Sequence, residues 1–447
     1  MPARSARRRA APAYILVGVI GAGACGTLEP PAVAPADTPR HLRAERPAAT
    51  EEGTELRRAV AGRPLSLEVA LALAERLSPA LRALEGEVAA ARARALQAGL
   101  YPNPTLDAGI EDWPPRAGVG EADVVAGVTQ PLVLGGRLRA AEAAAGKARE
   151  AAEADLALAR RAVRAEVRAA FAAALFWRDR AALSAELVRV ARESVTLAAA
   201  RFKAGDVPES ELLKAEVEQA RAEIERERAE SERRGALARL AARLGDATVE
   251  VGDVAGTLPA AGAPAVSLAD LGRRTLEGYP GIAALTRRFE RARLELALAR
   301  ASAIPDLEVR LGGGRLGERG EGSIEAGVAI ALPLFDRAEG RIAEAEAGIA
   351  RAAREAEAGA SAALAALAEA HRAHALARSQ AARYEAEILP RAVRALEQTR
   401  AAYRAGGVSL LEVLDAQRTL GETRALELEA RRDLAVAEAE LKRFAGE

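Results

Sequence analysis

Between Val163 and Phe202, apolar or small residues recur at alternating intervals of four and three: Val163, Val167, Ala170, Ala174, Trp177, Ala181, Ser184, Val188, Ala191, Val195, Ala198 and Phe202. Ser184 is the sole polar member. A 3.5-residue period kept up this far predicts a helix supercoiled against its neighbours, with alanine knobs allowing close approach. The helix is expected to run from about Arg137 to Lys203, turn at a glycine, and return from about Pro208 to Leu244. Upstream, Ser66 before "LEVALALAERL" suits a helix N-cap with Glu68 in the first turn. That helix is expected to reach about Gly99, where Pro102 and Pro104 stop it. Stacked end to end, the two shorter helices would run alongside the long one, which spans about 100 Å at about 1.5 Å per residue. Such parts could build a hollow cylinder, although the seam alone suits a plain coiled-coil rod equally well.

The segments between helices follow a period of two. Leu307, Val309 and Leu311 alternate with Glu308, Arg310 and Gly312; Ile324, Ala326, Val328, Ile330 and Leu332 alternate with Glu325, Gly327 and Ala329. The first half of the chain repeats the pattern with Leu106, Ala108 and Ile110 against Asp107, Gly109 and Glu111, then Val124, Ala126 and Val128 against Val125, Gly127 and Thr129. Alternation predicts strands with one apolar face, each close to the roughly 9 to 11 residues that a tilted membrane strand needs. A hairpin lying on a soluble core would show the same local pattern. Trp113 is the one aromatic residue placed for an interfacial girdle. Four strands cannot close a barrel, and unpaired strand edges in lipid are prohibitively costly. The chain is therefore expected to borrow strands from copies of itself, and three copies would supply twelve.

The chain is also internally duplicated. "AGGVSLLEVLDAQ" from Ala405 follows the similar "AGDVPESELLKAE" from Ala204 by 201 positions, and the same offset relates Ser66 to Ser267, Pro104 to Pro305, Phe202 to Tyr403 and Gly205 to Gly406. This divides the 447 residues into a signal peptide (1–24), a tether (25–64), a first repeat (65–250), a joint (251–265) and a second repeat (266–447). With only two Trp, five Tyr and six Phe, the composition suits long helices better than a thick mixed core. Its 64 basic and 64 acidic residues are interspersed, and nothing points to nucleic acid. The single cysteine, Cys25, follows Arg4, Arg7, Arg8 and Arg9, the apolar run "AYILVGVIGA" and the small residues Ala22, Gly23 and Ala24. This reads as a secretory signal. An ordinary Ala-x-Ala cleavage fits, as does a bacterial lipobox with Cys25 as lipid anchor, although Ala22 stands where a lipobox usually carries Leu.

The stretches "YPNP" at Tyr101, "QPLVLGGRLRAAEA" from Gln130, "LPLFDRAEGRIAEAEA" from Leu332 and the two turn motifs, in this order, resemble the TolC-like outer-membrane channels of bacterial efflux and secretion systems. The resemblance covers nearly the whole chain after the tether. "PLFDRAEGRI" and "GGVSLLEVLDAQRTL" look most like the CzcC-type branch, which serves heavy-metal cation pumps; drug exporters and type I secretion channels share much of the pattern. It implies a mainly α fold with a membrane β-barrel portion: a homotrimer with a helical tunnel and a shared twelve-stranded barrel in outer-membrane lipid. It also implies a periplasmic adaptor and an inner-membrane RND-type pump as partners. By the same resemblance, Gly205, Val207, Gly406, Gly407 and Val408 lie at the periplasmic tip where the adaptor docks. Glu412 and Asp415 match the family's pore carboxylates, with Glu211 the first-repeat counterpart and Lys214 in place of the second acid.

Chemistry of other kinds is thin. His371 and His374 are spaced as a helix could hold a metal, yet two ligands without a third are weak and a solvated face explains them. No nucleophile motif or phosphate loop occurs, so neither an enzyme nor a cofactor is expected. A periplasmic coiled-coil adaptor or scaffold lipoprotein is the competing class, although an adaptor contributes one hairpin and this chain has two with strands between.

Overall fold

The computed structural model describes residues 63–111, 122–245, 251–262, 267–315, 321–405 and 407–446. The signal, the tether with Cys25, Trp113 and Gly406 lie outside the described residues. Those described belong to one compact unit, Glu51–Glu447. The first repeat comprises α1 (Leu67–Leu77), α2 (Pro79–Ala98), β1 (Thr105–Glu111), β2 (Asp123–Leu132), α3 (Arg137–Ala204) and α4 (Glu209–Arg243). The second comprises α5 (Leu268–Gly278), α6 (Pro280–Ala301), β3 (Leu307–Arg315), β4 (Gly322–Ile330), α7 (Glu339–Arg383), a π-helical turn (Tyr384–Ile388), α8 (Leu389–Arg404) and α9 (Leu410–Ala445). Among the described residues no helix is long and apolar enough to cross a membrane.

Proline accounts for the main departures from expectation. The opening helix is two helices, because Ser78 (φ −59°, ψ 116°) precedes Pro79 and a residue before proline avoids the helical region. Tyr279 before Pro280 breaks the second repeat in the same way. Ser66 does cap α1, accepting from the Val69 N–H at 3.4 Å. The α3 helix runs unbroken for 68 residues. Its counterpart is interrupted by the π turn just before Pro390, which has no N–H to offer the helical ladder.

Ion pairs trace how the helices stack. Along α3, Glu153 and Arg160 meet Arg92 and Glu85 of α2 (3.0 and 2.9 Å), Arg164 meets Glu75 of α1, and Glu166 and Arg192 meet Arg243 and Glu223 of α4 (2.7 and 2.9 Å). The short helices thus follow one another along the long one. Exposed pairs contribute little each; the packing carries the energy. Val167, Phe171, Ala174, Leu175 and Phe176 are buried with Ala70 and Ala74 of α1 and with Leu237, Leu240 and Ala241 of α4. Ser184, buried on the seam, satisfies its hydroxyl on the Arg180 carbonyl at 2.9 Å.

The joint is part of this core. Leu65 pairs with Val254, while Val251, Val254 and Leu258 are buried. Arg178 of α3 donates to the Val254 and Gly256 carbonyls at 2.8 and 2.9 Å, and Arg431 of α9 donates to those of Leu258 and Pro259 at 2.6 and 3.2 Å. Both repeats therefore hold the connecting segment.

The repeats also meet side by side. Near the sheet, Lys147 and Glu150 of α3 pair with Glu290 and Arg287 of α6, each at 3.0 Å. Further along, Arg424 of α9 reaches Glu186 at 3.1 Å, and Gly421 gives Leu187 room that a Cβ would restrict to 3.1 Å. The helices form a layer in which α3 and its repeat partners are central. Helices α2 and α4 lie at one margin, α7 and α8 at the other.

The sheet has the same order, β1-β2-β3-β4, all antiparallel. Leu106, Val128, Leu311 and Ala326 share one rung; Ala108, Ala126, Gly313 and Ile324 share another. These positions stand on one face and, apart from half-buried Gly313, are exposed, Ile324 at 93%. The intervening rung carries Asp107, Gly127, Gly312 and Glu325 on the opposite face. There Arg310 crosses Gly127 to reach Asp107 at 2.9 Å, and Thr129 donates to the same carboxylate at 3.3 Å. A Cβ on Gly127 would lie 3.1 Å from Asp107, so glycine keeps the bridge possible. The outer edges of β1 and β4 have no partner strand among the described residues.

Truncating Leu240, fully buried between α3 and α4, tests the source of stability. Leu240→Ala is expected to cost about 2–5 kcal/mol through the cavity it leaves, seen as a lower thermal midpoint in detergent. Arg92→Ala should leave the midpoint nearly unchanged.

Candidate functional site

The chain turns back at two places remote from the sheet. At the end of α3, Gly205 adopts φ 81°, and its N–H donates to the Phe202 carbonyl while that of Asp206 donates to Arg201, each at 3.0 Å. This double bond pattern with a left-handed glycine satisfies carbonyls that the ending helix leaves free. At the second turn the Gly407 N–H donates to Ala402 at 2.9 Å, the counterpart of the Asp206 bond 201 positions earlier. Gly205 and Gly407 are exposed; Val207 and Val408 are half-buried.

Behind the turns, Ala198, Ala215 and Leu410 are buried, with Val195, Leu212, Tyr403 and Leu414 packed against them. Arg201 donates to the Tyr403 hydroxyl and lies 5.1 Å from the centre of its ring. The two turns of one chain are thereby tied together. Neither residue stood out from sequence as a site residue, because a contact between α3 and α8 leaves no local spacing signal.

The predicted carboxylates serve different local roles. Ser409 and Glu412 form a capping box in which the Glu412 carboxylate accepts from the Ser409 N–H at 3.3 Å. The S-x-x-E spacing was readable in the chain. Asp415 is exposed and bonded to Arg418, one turn on, at 2.5 Å. Glu211 is half-buried in the first turn of α4, and Lys214 is exposed. Lys214, Glu218 and Arg221 of α4 line a groove of about 920 Å³ with Glu412, Asp415 and Arg418 of α9 and with Ala392, Ala395 and Thr399 of α8. In a single chain the groove is charge-balanced, three acids against three bases, so the acids are not a bare anionic pair.

Further from the turns, the Arg192 guanidinium, and then the Gln219 amide, hold the Glu223 carboxyl below its ordinary range. His374 is buried on α7, and desolvation pushes its imidazole pKa down. His371 lies one turn before it. Among the described residues no group of three or more His, Cys, Asp or Glu side chains converges as a metal site.

Two stretches, residues 70–246 and 271–447, match the outer membrane efflux protein family model. They begin and end 201 positions apart, the offset of the internal repeat. The chain belongs to the outer membrane efflux protein family. It is an outer-membrane efflux channel, and the family is not enzymatic. It is similar to the cobalt-zinc-cadmium resistance protein CzcC of Cupriavidus metallidurans, 31% identical over 361 residues that cover 81% of this chain and 85% of that protein. Among solved structures it shares the fold of CusC (TM-score 0.72, 19% identity, 85% of this chain and 91% of CusC). The open state of the Neisseria gonorrhoeae MtrE outer membrane channel is similar as well (TM-score 0.70, 20% identity, 85% and 88% covered).

Two outcomes test the turns. Ser409→Ala removes the cap and is expected to cost about 1 kcal/mol, read as faster amide exchange in the first turn of α9, with Ser409→Asp preserving protection. For Glu223 the depressed folded pKa means that its contribution is present at neutral pH and lost as pH falls through that lower value. Protection of α3 and α4 near Arg192 should therefore fall on acidification below the ordinary carboxylate range, a dependence that Arg192→Ala should flatten.

Proposed function

We propose that the protein is a passive exit duct for heavy-metal cations, assembled as a ring of three copies, to which an inner-membrane RND-type pump delivers cargo through a periplasmic adaptor. The observation that carries the conduit reading is the open layer: helices and sheet follow the same order, and among the described residues both end in unpartnered edges. Contacts that join one margin to the opposite margin of the next copy are heterologous and close a ring when the rotation permits. Because the four strands alternate in direction, β4 of one copy and β1 of the next run antiparallel and can pair. Three chains give a twelve-stranded wall, apolar outside and charged within, with no edge left in lipid.

The cargo follows from likeness to the relative named for cobalt, zinc and cadmium resistance. At the tips, the exposed turns at Gly205 and Gly407, with Val207, Gly406 and Val408, are the surface for the adaptor; two turns per chain give six in the ring. Around the axis, three copies of Asp415, with Glu412 and Glu211 nearby, concentrate negative potential that favours cations. Arg418 offsets part of that charge. Cys25 is the proposed lipid anchor.

Deleting the gene should lower tolerance to cobalt, zinc or cadmium; loss of tolerance to organic drugs alone would overturn the cargo assignment. In planar bilayers the purified trimer should conduct, and Asp415→Asn should reduce its preference for cations. A monomer without conductance would overturn the duct itself.

A further inference from the structure

The charged face of the sheet is not uniformly acidic. Its described residues include the carboxylates Asp107, Asp123, Glu308 and Glu325 and a single base, Arg310. Alternation along each strand puts all five on the side opposite the apolar rungs.

Arg310 stands opposite Thr129 on β2 and opposite Gly327 on β4. Two carboxylates compete for it by register. Glu325 is its diagonal neighbour on the adjoining strand β4, whereas Asp107 lies two strands away on β1. Diagonal neighbours, about 7–8 Å apart, are within easy reach of a long side chain. The guanidinium nevertheless takes the longer course, over β2 to one Asp107 oxygen at 2.9 Å, while Thr129 donates to the other at 3.3 Å. Glycine opens that course. A Cβ on Gly127 would lie 3.1 Å from the Asp107 carboxylate and 3.3 Å from Arg310 Nε, inside the bridge itself. Gly312, the cross-strand partner of Gly127, keeps the next position bare as well. The arginine therefore lies along the wall instead of projecting from it. Its charge is matched to Asp107, while Glu308 and Glu325 form no ion pair within the chain among the described residues.

We propose that Arg310 is a specificity-determining residue of the duct that acts in the barrel, remote from the tips: by lying over Gly127 and neutralising Asp107, it sets how much of the wall's negative charge a permeating ion meets. This rests on the reading of the sheet as barrel wall with its charged face inward. Three copies place three such bridges around the lumen and interrupt an otherwise acidic lining. Conduction needs attraction strong enough for entry and weak enough for release. Masking one carboxylate in each chain moves that balance toward release.

Full-length trimers in planar bilayers test this through the cation-to-anion permeability ratio, read from the reversal potential in a potassium chloride gradient. The ratio is compared at about 10 mM and about 1 M salt, where the Debye length is about 30 and about 3 Å. Arg310→Gln should raise the ratio at low salt, with most of the rise lost at high salt. Asp107→Asn, which leaves the guanidinium unmatched, should lower it, and the two changes together should give a ratio between those of the single variants. The rise from Arg310→Gln should persist in an Asp415→Asn background, because the tips are far from the sheet and distant changes add. A conducting parent whose ratio is the same in Arg310→Gln and Asp107→Asn would overturn the proposal and leave the barrel standing, the more so if both variants lower the thermal midpoint of the trimer, as a purely structural bridge would. Shifts of the same size at both salt concentrations would also overturn it, since a field effect must be screened. A parent without conductance would remove the barrel reading and this proposal together.

Discussion

Backbone hydrogen bonding in lipid is the constraint on which the molecule depends. A strand edge cannot remain unpaired where no water can replace the missing partner, yet the described residues of one chain form a four-stranded sheet in which the outer edges of β1 and β4 are open. The helices repeat this incompleteness, with α2 and α4 at one margin and α7 and α8 at the other. Sheet and helical layer share one order of repeats, so an assembly that closes the first also closes the second.

Within the chain, the wall is thin and small side chains hold it together. Ala70, Ala174, Ala236 and Ala241 are almost fully buried, allowing helices to approach closely, and Gly421 does the same for the two repeats. Surface charges are numerous but mostly exposed and paired with their neighbours. They keep a chain of zero formal net charge soluble along its helical length without accounting for much of its stability. The joint is held by guanidinium groups from both repeats, so that the duplication is physically tied as well as copied.

At the tips the local and collective roles of charge separate. Glu412 closes a capping box, and Asp415 has a basic neighbour on its own helix. Each carboxylate therefore first meets a requirement of the individual chain. Any field along an axis arises only from the symmetric sum of what remains. For the proposed duct, such a field, an open path and a wall that lipid accepts would suffice.

Much of this was legible in the chain. The 3.5-residue seam of α3, the period of two in β3 and β4, the glycine turn at Gly205 and the duplication are all local, because helix and strand periods, left-handed turns and repeats are expressed within a few consecutive residues or by direct self-comparison. The breaks at Ser78 and Tyr279 were readable too, since Pro79 and Pro280 follow them, but a strong apolar pattern masked the rule. Other features were decided only by tertiary structure: the tie of Arg201 to Tyr403, the burial of Val254 and Leu258 in the joint, and the partner of Asp107 across Gly127. Each depends on which distant segments become neighbours, and a one-dimensional pattern carries the propensity of a residue without the identity of what will stand beside it.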